Sequence, residues 1–248
     1  ENTAETTNIF GIRAIIEAID SGSTMNKIYL QKDLRGSLYY ELDKLIKEKK
    51  IATSLVPIEK LNRLSKNGNH QGAVAQISPV EFHDLESLIE KTLESNNVPL
   101  FLLLDQLSDV RNFGAIARTA ECCGAHAIVV PKKGAAQVNP DAVKTSAGAL
   151  YKIPICRHDS LLHVLRFLKD SGLQIVGCTE KTEDFIYKPD FTAPTAIIMG
   201  AEDEGISFEL MRNCDHLTKI PMQGTIESLN VSVSAGVILY EAVRQRLG

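Results

Sequence analysis

Three short stretches combine residue types that can hold a ligand and act on it. The first is Gly200-Ala201-Glu202-Asp203-Glu204-Gly205, which directly follows the apolar run Thr195–Met199. The second runs from Ile220-Pro221-Met222 through Gly224 and Ser228-Leu229-Asn230, directly before Val231-Ser232-Val233-Ser234. The third, upstream, is Asp109-Val110-Arg111-Asn112-Phe113-Gly114, with Arg118-Thr119-Ala120 following. Glycine in such loops lets backbone amides and carbonyls approach a bound molecule closely. The two downstream loops are acidic and amide-rich rather than basic. That composition argues against a polyphosphate and for a ligand with a positive or neutral recognition face. The 200–205 loop alone reads as a solvated acidic turn, since Gly and acidic residues are common turn formers. Together, at strand ends, they read as a site.

The elements that would position these stretches follow a clear pattern from Leu100 onward. Apolar runs at Leu100–Leu104, Ala127–Val130, Lys152–Cys156, Gln174–Cys178, Thr195–Met199 and Leu217–Ile220 predict strands. Helices are expected at Asn112–Cys123, near Ala142–Ser146, at Leu161–Ser171, Ser207–Asn213 and Val231–Arg246. Such alternation means a parallel sheet covered by helices on both faces. Asn112 reads as the N-cap of its helix and Asn230 or Ser228 as a cap of the last one. Asn112, Ala115 and Arg118 can share a helix face.

A smaller α/β unit precedes this one. Helices are expected from Ile9 to Ile19, from Ser37 (as N-cap) to Lys50, and from Ile58 to Leu64; strands at Lys27–Leu30, Ile51–Val56 and Ala73–Ile77. The expected organisation is a disordered tail over residues 1–7, a domain over 8–78, a connection with one amphipathic helix over 79–99, and a second domain over 100–248. Lys32, Arg35, Arg63, Lys66 and His70 fall in expected loops of the first domain, where they read as phosphate contacts or as ordinary surface charge.

Composition bounds the function. The chain has 248 residues, 44% hydrophobic, with a formal net charge of −4. It has no apolar run long enough to span a bilayer. The polar, acidic start Glu1–Thr7 lacks the character of a signal peptide. Five cysteines without a C-x-x-C spacing read as free buried thiols of a reducing cytosol. Six histidines form no metal-ligand pattern, so no metal is expected. Residues 1–78 carry 11 Lys/Arg against 9 Asp/Glu, and residues 79–248 carry 16 against 22. A nucleic-acid partner would therefore be held by local basic patches rather than by a global field.

The three stretches together resemble the SpoU/TrmH family of RNA 2′-O-ribose methyltransferases, whose pattern is N-x-G-x-x-x-R, then G-x-E-x-E-G, then I-P-M followed by S-L-N-V-S. The resemblance spans roughly residues 8 to 248. It implies a C-terminal parallel-sheet α/β domain closed by a deep trefoil knot, although periodicity shows no knot and true knots are close to absent in proteins. It implies S-adenosylmethionine as methyl donor, held through backbone groups at Gly200, Ile220 and Leu229, with Met222 beside the adenine or ribose. The absence of G-x-G-x-x-G after a first strand separates the chain from an ordinary Rossmann enzyme. The implied catalytic residues are Asn112, Arg118, Glu202, Ser228 and Asn230. Arg118 is a poor proton acceptor with a pKa above about 12, so it reads as a phosphate anchor and alkoxide stabiliser. The first domain resembles the substrate-binding domain of the ribosomal RNA guanosine branch, with transfer RNA as the alternative substrate. A non-catalytic RNA-binding assembly factor and a general α/β ligand-binding protein are the competing readings. The former would be marked by loss of Arg118 or Asn112, and both are present. The family also implies a cytoplasmic homodimer, for which Val231, Val233, Val237, Ile238, Tyr240 and Val243 supply apolar surface around much of the last helix.

Overall fold

Two buried sheets organise the chain, each built by the apolar runs that the sequence concentrates in short strands. The computed structural model describes residues 8–95, 97–226 and 228–248. The expected tail over residues 1–7 lies outside them, as do Asn96 and Glu227. Contacts divide the chain into two units, one extending to Glu81 with Gln137–Pro140 added, the other comprising Phe82–Ala136 and Asp141–Gly248.

The first unit contains β1 (Asn8–Phe10), α1 (Ile12–Asp20), β2 (Met25–Gln31), α2 (Ser37–Glu48), β3 (Thr53–Val56), α3 (Ile58–Leu64) and β4 (Ala73–Ile77). Its sheet has the order β1-β4-β2-β3. β2 runs parallel to β3, and β4 runs antiparallel to both β1 and β2. Ile12, Ile15, Ile16 and Ile19 recur at helical spacing and enter the core with Ile28, Leu42 and Ile46. Two expectations are corrected here. Asn8–Phe10 is a strand rather than the start of a helix, because Gly11 adopts φ +92° and turns the chain between the two elements. Ser37 is the first residue of α2, whose cap position is Gly36 with no side-chain bond.

The second unit contains β5 (Phe82–His83), α4 (Leu85–Glu94), β6 (Leu100–Leu104), α5 (Val110–Cys122), β7 (Ala127–Pro131), α6 (Pro140–Thr145), a 3-10 turn (Ala149–Tyr151), β8 (Ile155–His158), α7 (Leu161–Asp170), β9 (Gln174–Cys178), β10 (Thr195–Met199), α8 (Phe208–Met211), β11 (His216–Thr218) and α9 (Val231–Leu247). Its seven strands take the order β11-β9-β10-β6-β7-β8-β5, and every pairing is parallel. The parallel-sheet α/β class expected from alternation is thus observed. β6 and β10 are wholly buried, which suits strands without polar alternation. The connecting segment supplies edge strand β5, and Leu85 and Ile89 of α4 enter the large core with Phe101, Leu103 and Ile198. β8 begins three residues later than expected, because the 3-10 turn at Ala149–Tyr151 and then Pro154 precede it.

Strand order reverses at the centre of this sheet. β7 and β8 lie to one side of β6, and β10, β9 and β11 to the other. Such a switch point opens a crevice at the C-terminal ends of the strands. All three candidate stretches lead out of, or into, that edge.

Candidate functional site

Asp105, at the end of β6, sets the floor of the crevice. Its amide donates to the Met199 carbonyl at 2.8 Å, and its carboxylate accepts the Ser207 amide at 2.8 Å. The side chain is buried, 5% exposed, so this bond fixes the exit of the 200–205 loop across the switch point. Sequence reading missed Asp105. An Asp closing an all-apolar strand was the available signal.

The 200–205 loop folds back on itself. Gly205 donates to Ala201 O at 2.9 Å, and Gly205 holds φ +70°. A Cβ at position 200 would lie 1.9 Å from the Gly205 carbonyl carbon and 2.2 Å from the Ile206 nitrogen. Backbone cannot yield to such contacts, so glycine at 200 is demanded by the loop itself.

Glu202 projects from this loop to two amides. Its Oε1 accepts Asn112 Nδ2 at 2.7 Å and Asn230 Nδ2 at 2.8 Å. Asn230 Nδ2 also donates to Asn112 Oδ1 at 3.1 Å. Three residues that are 28 to 118 positions apart therefore meet in one cluster. Asn230 doubles as the N-cap of α9, its Oδ1 accepting the Ser232 amide at 2.9 Å. Asn112 does not cap α5, contrary to expectation. Asp109 does, accepting the Asn112 amide at 2.7 Å. The helix therefore starts two residues earlier, and the Asn112 side chain is released for Glu202.

Arg118 and Ser228 make no bond to this cluster. Six residues along a helix correspond to about 9 Å of rise and roughly 120° of rotation, so Arg118 does not share the Asn112 face as expected. It is exposed, and no described residue holds its guanidinium. Ser228 is exposed and likewise unbonded among the described residues.

Ile220 is half-buried, Met222 is 37% exposed and Leu229 is 40% exposed. Residues 220–226, 228 and 229 form no hydrogen bond to another described residue. Their backbone donors and acceptors are left to solvent or a ligand. A cavity of about 560 Å³ lined by Asn97, Val98, Gly124, His126, Thr192 and Arg246 lies at the other end of the sheet, where strands begin. It is remote from the cluster.

The whole chain aligns with known proteins in a way that matches this layout. The SpoU rRNA Methylase family matches residues 99–240, and a family described as RNA 2′-O ribose methyltransferase substrate binding matches residues 8–83. The chain belongs to the SpoU methyltransferase family. SpoU enzymes are RNA methyltransferases that take their methyl group from S-adenosylmethionine, and this chain is such an enzyme. It is 37% identical to the 23S rRNA (guanosine-2′-O-)-methyltransferase RlmB of Photobacterium profundum, over 96% of this chain and 97% of that one. It is 35% identical to a Synechocystis protein named an uncharacterized tRNA/rRNA methyltransferase, over 96% of this chain; the match spans 62% of that longer relative. The solved SpoU methyltransferase AviRb of Streptomyces viridochromogenes, in complex with AdoMet, shares 27% identity and superposes with TM-score 0.61 over 97% of this chain and 90% of that one.

In the first unit of this SpoU protein, Lys32 and Arg35 lie exposed on the β2–α2 loop and Lys66 on the α3–β4 loop. These loops adjoin, since Gln31 donates to Gly72 O at 2.8 Å and a Cβ on Gly72 would press on Leu34. Arg63 is exposed but sits in the last turn of α3 rather than in a loop. His70 is a correction. It is 8% exposed, its Nε2 2.9 Å from Asn62 Oδ1 and its Nδ1 accepting the Gly72 amide at 3.0 Å. Its ring holds the turn and is not offered to a phosphate.

Among the described residues no group of His, Cys, Asp and Glu could hold a metal ion, and no helix is long and apolar enough to cross a membrane. All five cysteines are free. Cys156 alone is fully buried; Cys122 is exposed at the end of α5, which corrects the expectation that all are buried. Burial pushes the Cys156 and Cys214 thiols up to about 12, so they are poor nucleophiles near neutrality.

Proposed function

We propose that the chain methylates the ribose 2′-hydroxyl of a guanosine in large-subunit ribosomal RNA. Family membership and similarity to an RlmB enzyme support the ribosomal reading. The tRNA/rRNA name of the Synechocystis relative keeps transfer RNA as the second reading. The carrying observation is the Asn112–Glu202–Asn230 cluster at the switch point, with Arg118, exposed and without a partner among the described residues, on the same helix as Asn112.

The donor chemistry fits the residues present. The described residues of loop 220–229 have no hydrogen-bond partner among the described residues, acidic Glu202 bonds Asn230 at the end of that loop, and Met222 and Leu229 give apolar contact. S-adenosylmethionine bound there through Gly200, Ile220, Met222 and Leu229 supplies an electrophilic methyl on a positive sulfur. The chain's own residues do the remaining work. Arg118 anchors the target phosphate and stabilises the alkoxide that develops as the 2′-hydroxyl loses its proton. Asn112 and Asn230, fixed by Glu202, orient the ribose. Ser228 donates a hydrogen bond beside it. Lys32, Arg35, Arg63 and Lys66 bind RNA phosphates, without His70.

The same reading includes a deep C-terminal trefoil knot, a cytoplasmic location and a homodimer. α9 supports the dimer. Val231, Ala235, Ile238 and Ala242 are buried, while Val233 is 50% and Tyr240 56% exposed on a second face that the unit does not cover. Sedimentation should give twice the chain mass, and a monomer that still methylates RNA would rule the dimer out. The function itself is tested by transferring a labelled methyl group to ribosomal and transfer RNA and mapping 2′-O-methyl positions. Label found only on bases would overturn it.

A further inference from the structure

The second half of the chain is acidic, yet one stretch within it is not. Residues 105–158 hold seven Lys/Arg against four Asp/Glu, and one of those acids, Asp105, is buried in its bond to Ser207. This stretch carries Arg118 and, across from it, the chain from α6 to the 3-10 turn. α5 packs on that segment closely. A Cβ on Gly114 would lie 2.7 Å from Ala142 O and 2.8 Å from Thr145 Cβ. One helical turn beyond Arg118, Glu121 pairs loosely with Lys152 at 3.9 Å. Positions 114, 118 and 121 share one face. Arg118 therefore sits between those two contacts, beside the turn that ends in Tyr151.

Tyr151 is 65% exposed on a firmly held turn. Its neighbours Ala149 and Leu150 are buried, and Ser146 Oγ accepts the Leu150 amide at 3.3 Å. Its own amide donates to Gly148 O at 3.0 Å, and its hydroxyl has no partner among the described residues. Lys144 and Lys152 are exposed on either side of it in sequence; Glu121 faces Lys152, and Asp141 lies three residues before Lys144 in α6. A rigid exposed aromatic flanked by cations is the arrangement that holds single-stranded nucleic acid, by stacking on bases and attracting phosphates.

We infer that Tyr151 stacks on an unpaired base of the RNA beside the nucleotide presented to Arg118, with Lys144 and Lys152 on the adjoining phosphates. The inference rests on the RNA-methylating reading and deepens it. A ribose in a loop or single strand must be held on both sides before its hydroxyl can be aimed. In that reading Lys32, Arg35, Arg63 and Lys66 of the first unit meet RNA phosphates, whereas this ridge would fix the local register at the reacting centre.

The chain contains no tryptophan, so Tyr151→Trp creates a single indole reporter. Titration with a short mixed-sequence single-stranded RNA should quench its emission, and heparin, a polyanion without bases, should not. Tyr151→Phe should bind the RNA like the native chain, while Tyr151→Ala should bind roughly tenfold more weakly. Lys144→Ala with Lys152→Ala should flatten the salt dependence of binding, and Tyr151→Ala should leave that slope unchanged. Because Tyr151 is exposed, these variants keep the fold. Unquenched emission, or equal affinity of Tyr151→Ala and native protein for RNA, would overturn the stacking role alone. Emission that responds to protein concentration but not to RNA would assign Tyr151 to a contact between copies and overturn it too. A native chain that neither binds nor methylates RNA would overturn both this role and the RNA-methylating reading.

Discussion

The two ends of α9 are held very differently. At its C-terminal end, Arg246 donates to the carbonyls of Phe191 at 2.8 Å, Val98 at 2.9 Å and Pro99 at 2.9 Å. Gln245 accepts the Phe191 amide at 2.8 Å and donates to Pro189 O at 3.2 Å. These bonds staple the helix to the segments that lead into β6 and β10. At its N-terminal end, Asn230 accepts the Ser232 and Ser234 amides of its own helix and otherwise, among the described residues, meets the side chains of Asn112 and Glu202, and the preceding loop bonds to nothing described. One helix thus links an edge of the sheet built for stability to an edge left open for ligands. Sites are drawn from the less stable parts of a fold because a ligand must supply the missing bonds.

The largest effect should come from the open end. Gly200→Val forces a side chain into the Gly205–Ile206 backbone. Donor binding measured by calorimetry should be abolished. Because the loop itself must unfold, this variant reports loop integrity as much as contact with the donor. Retained affinity in a folded variant would remove the 200–205 loop from the donor site.

Next is Arg118→Ala. The residue is exposed and bonds to nothing described, so stability should stay within about 0.5 kcal/mol. Donor affinity should persist while single-turnover methyl transfer falls by at least ~100-fold, the loss expected for one alkoxide-stabilising group. A near-normal rate would place the chemistry elsewhere.

At the stapled end the order reverses. Arg246→Ala leaves the Phe191 and Val98 carbonyls without a donor among the described residues and should cost about 2 kcal/mol, read from denaturant unfolding. Donor affinity at low temperature should be unchanged. Equal damage to stability and donor binding would show that α9 transmits strain from one end to the other, and the contrast between its ends would fail.

The sequence was legible where one physical effect dominated. Leu100–Leu104, Gln174–Cys178 and Thr195–Met199 are apolar runs buried in a parallel sheet, and their bounds agree with the strands observed. It misled where two local solutions competed. Asp109 and Asn112 are both good caps three residues apart, and the choice is made by Glu202, 90 residues away from Asn112. His70 lies between polar neighbours and reads as surface, yet Asn62 and Gly72 bury its ring in a turn. β5 has two residues and no periodicity to detect; it exists because the edge of β8 accepts it. Arg118 was found through its motif, and only the helix geometry sets it off from the Asn112 face.

The smallest expected effect also belongs to the stapled end and depends on pH. His126 lies half-buried there, its Nδ1 accepting the Leu100 amide at 3.1 Å and its ring stacked with Phe101 at 6.0 Å. Burial, and then the positive charge of Arg246, holds its pKa below the ordinary 6.5. An accepting Nδ1 must also keep its lone pair, which favours the neutral ring. A folded-state pKa below the unfolded one means that the unfolded chain takes up the proton first on acidification. His126 therefore contributes its full stability above pH 6.5 and loses it as pH falls below that value toward the folded pKa. Carboxylates should not obscure this between about pH 7 and 5, since their ordinary values lie lower. Asp84, Asp190 and Glu241 are held lower still, by bonds from Ser87, Thr192 and Arg244 respectively. Unfolding midpoints across this range should fall less steeply for His126→Gln than for the native chain. Arg246→Ala should also flatten the slope, because it removes the positive charge that helps to depress the His126 pKa. An unchanged slope in both variants would mean that the imidazole already titrates normally, and that the stapled edge is open to water and protons like the edge opposite.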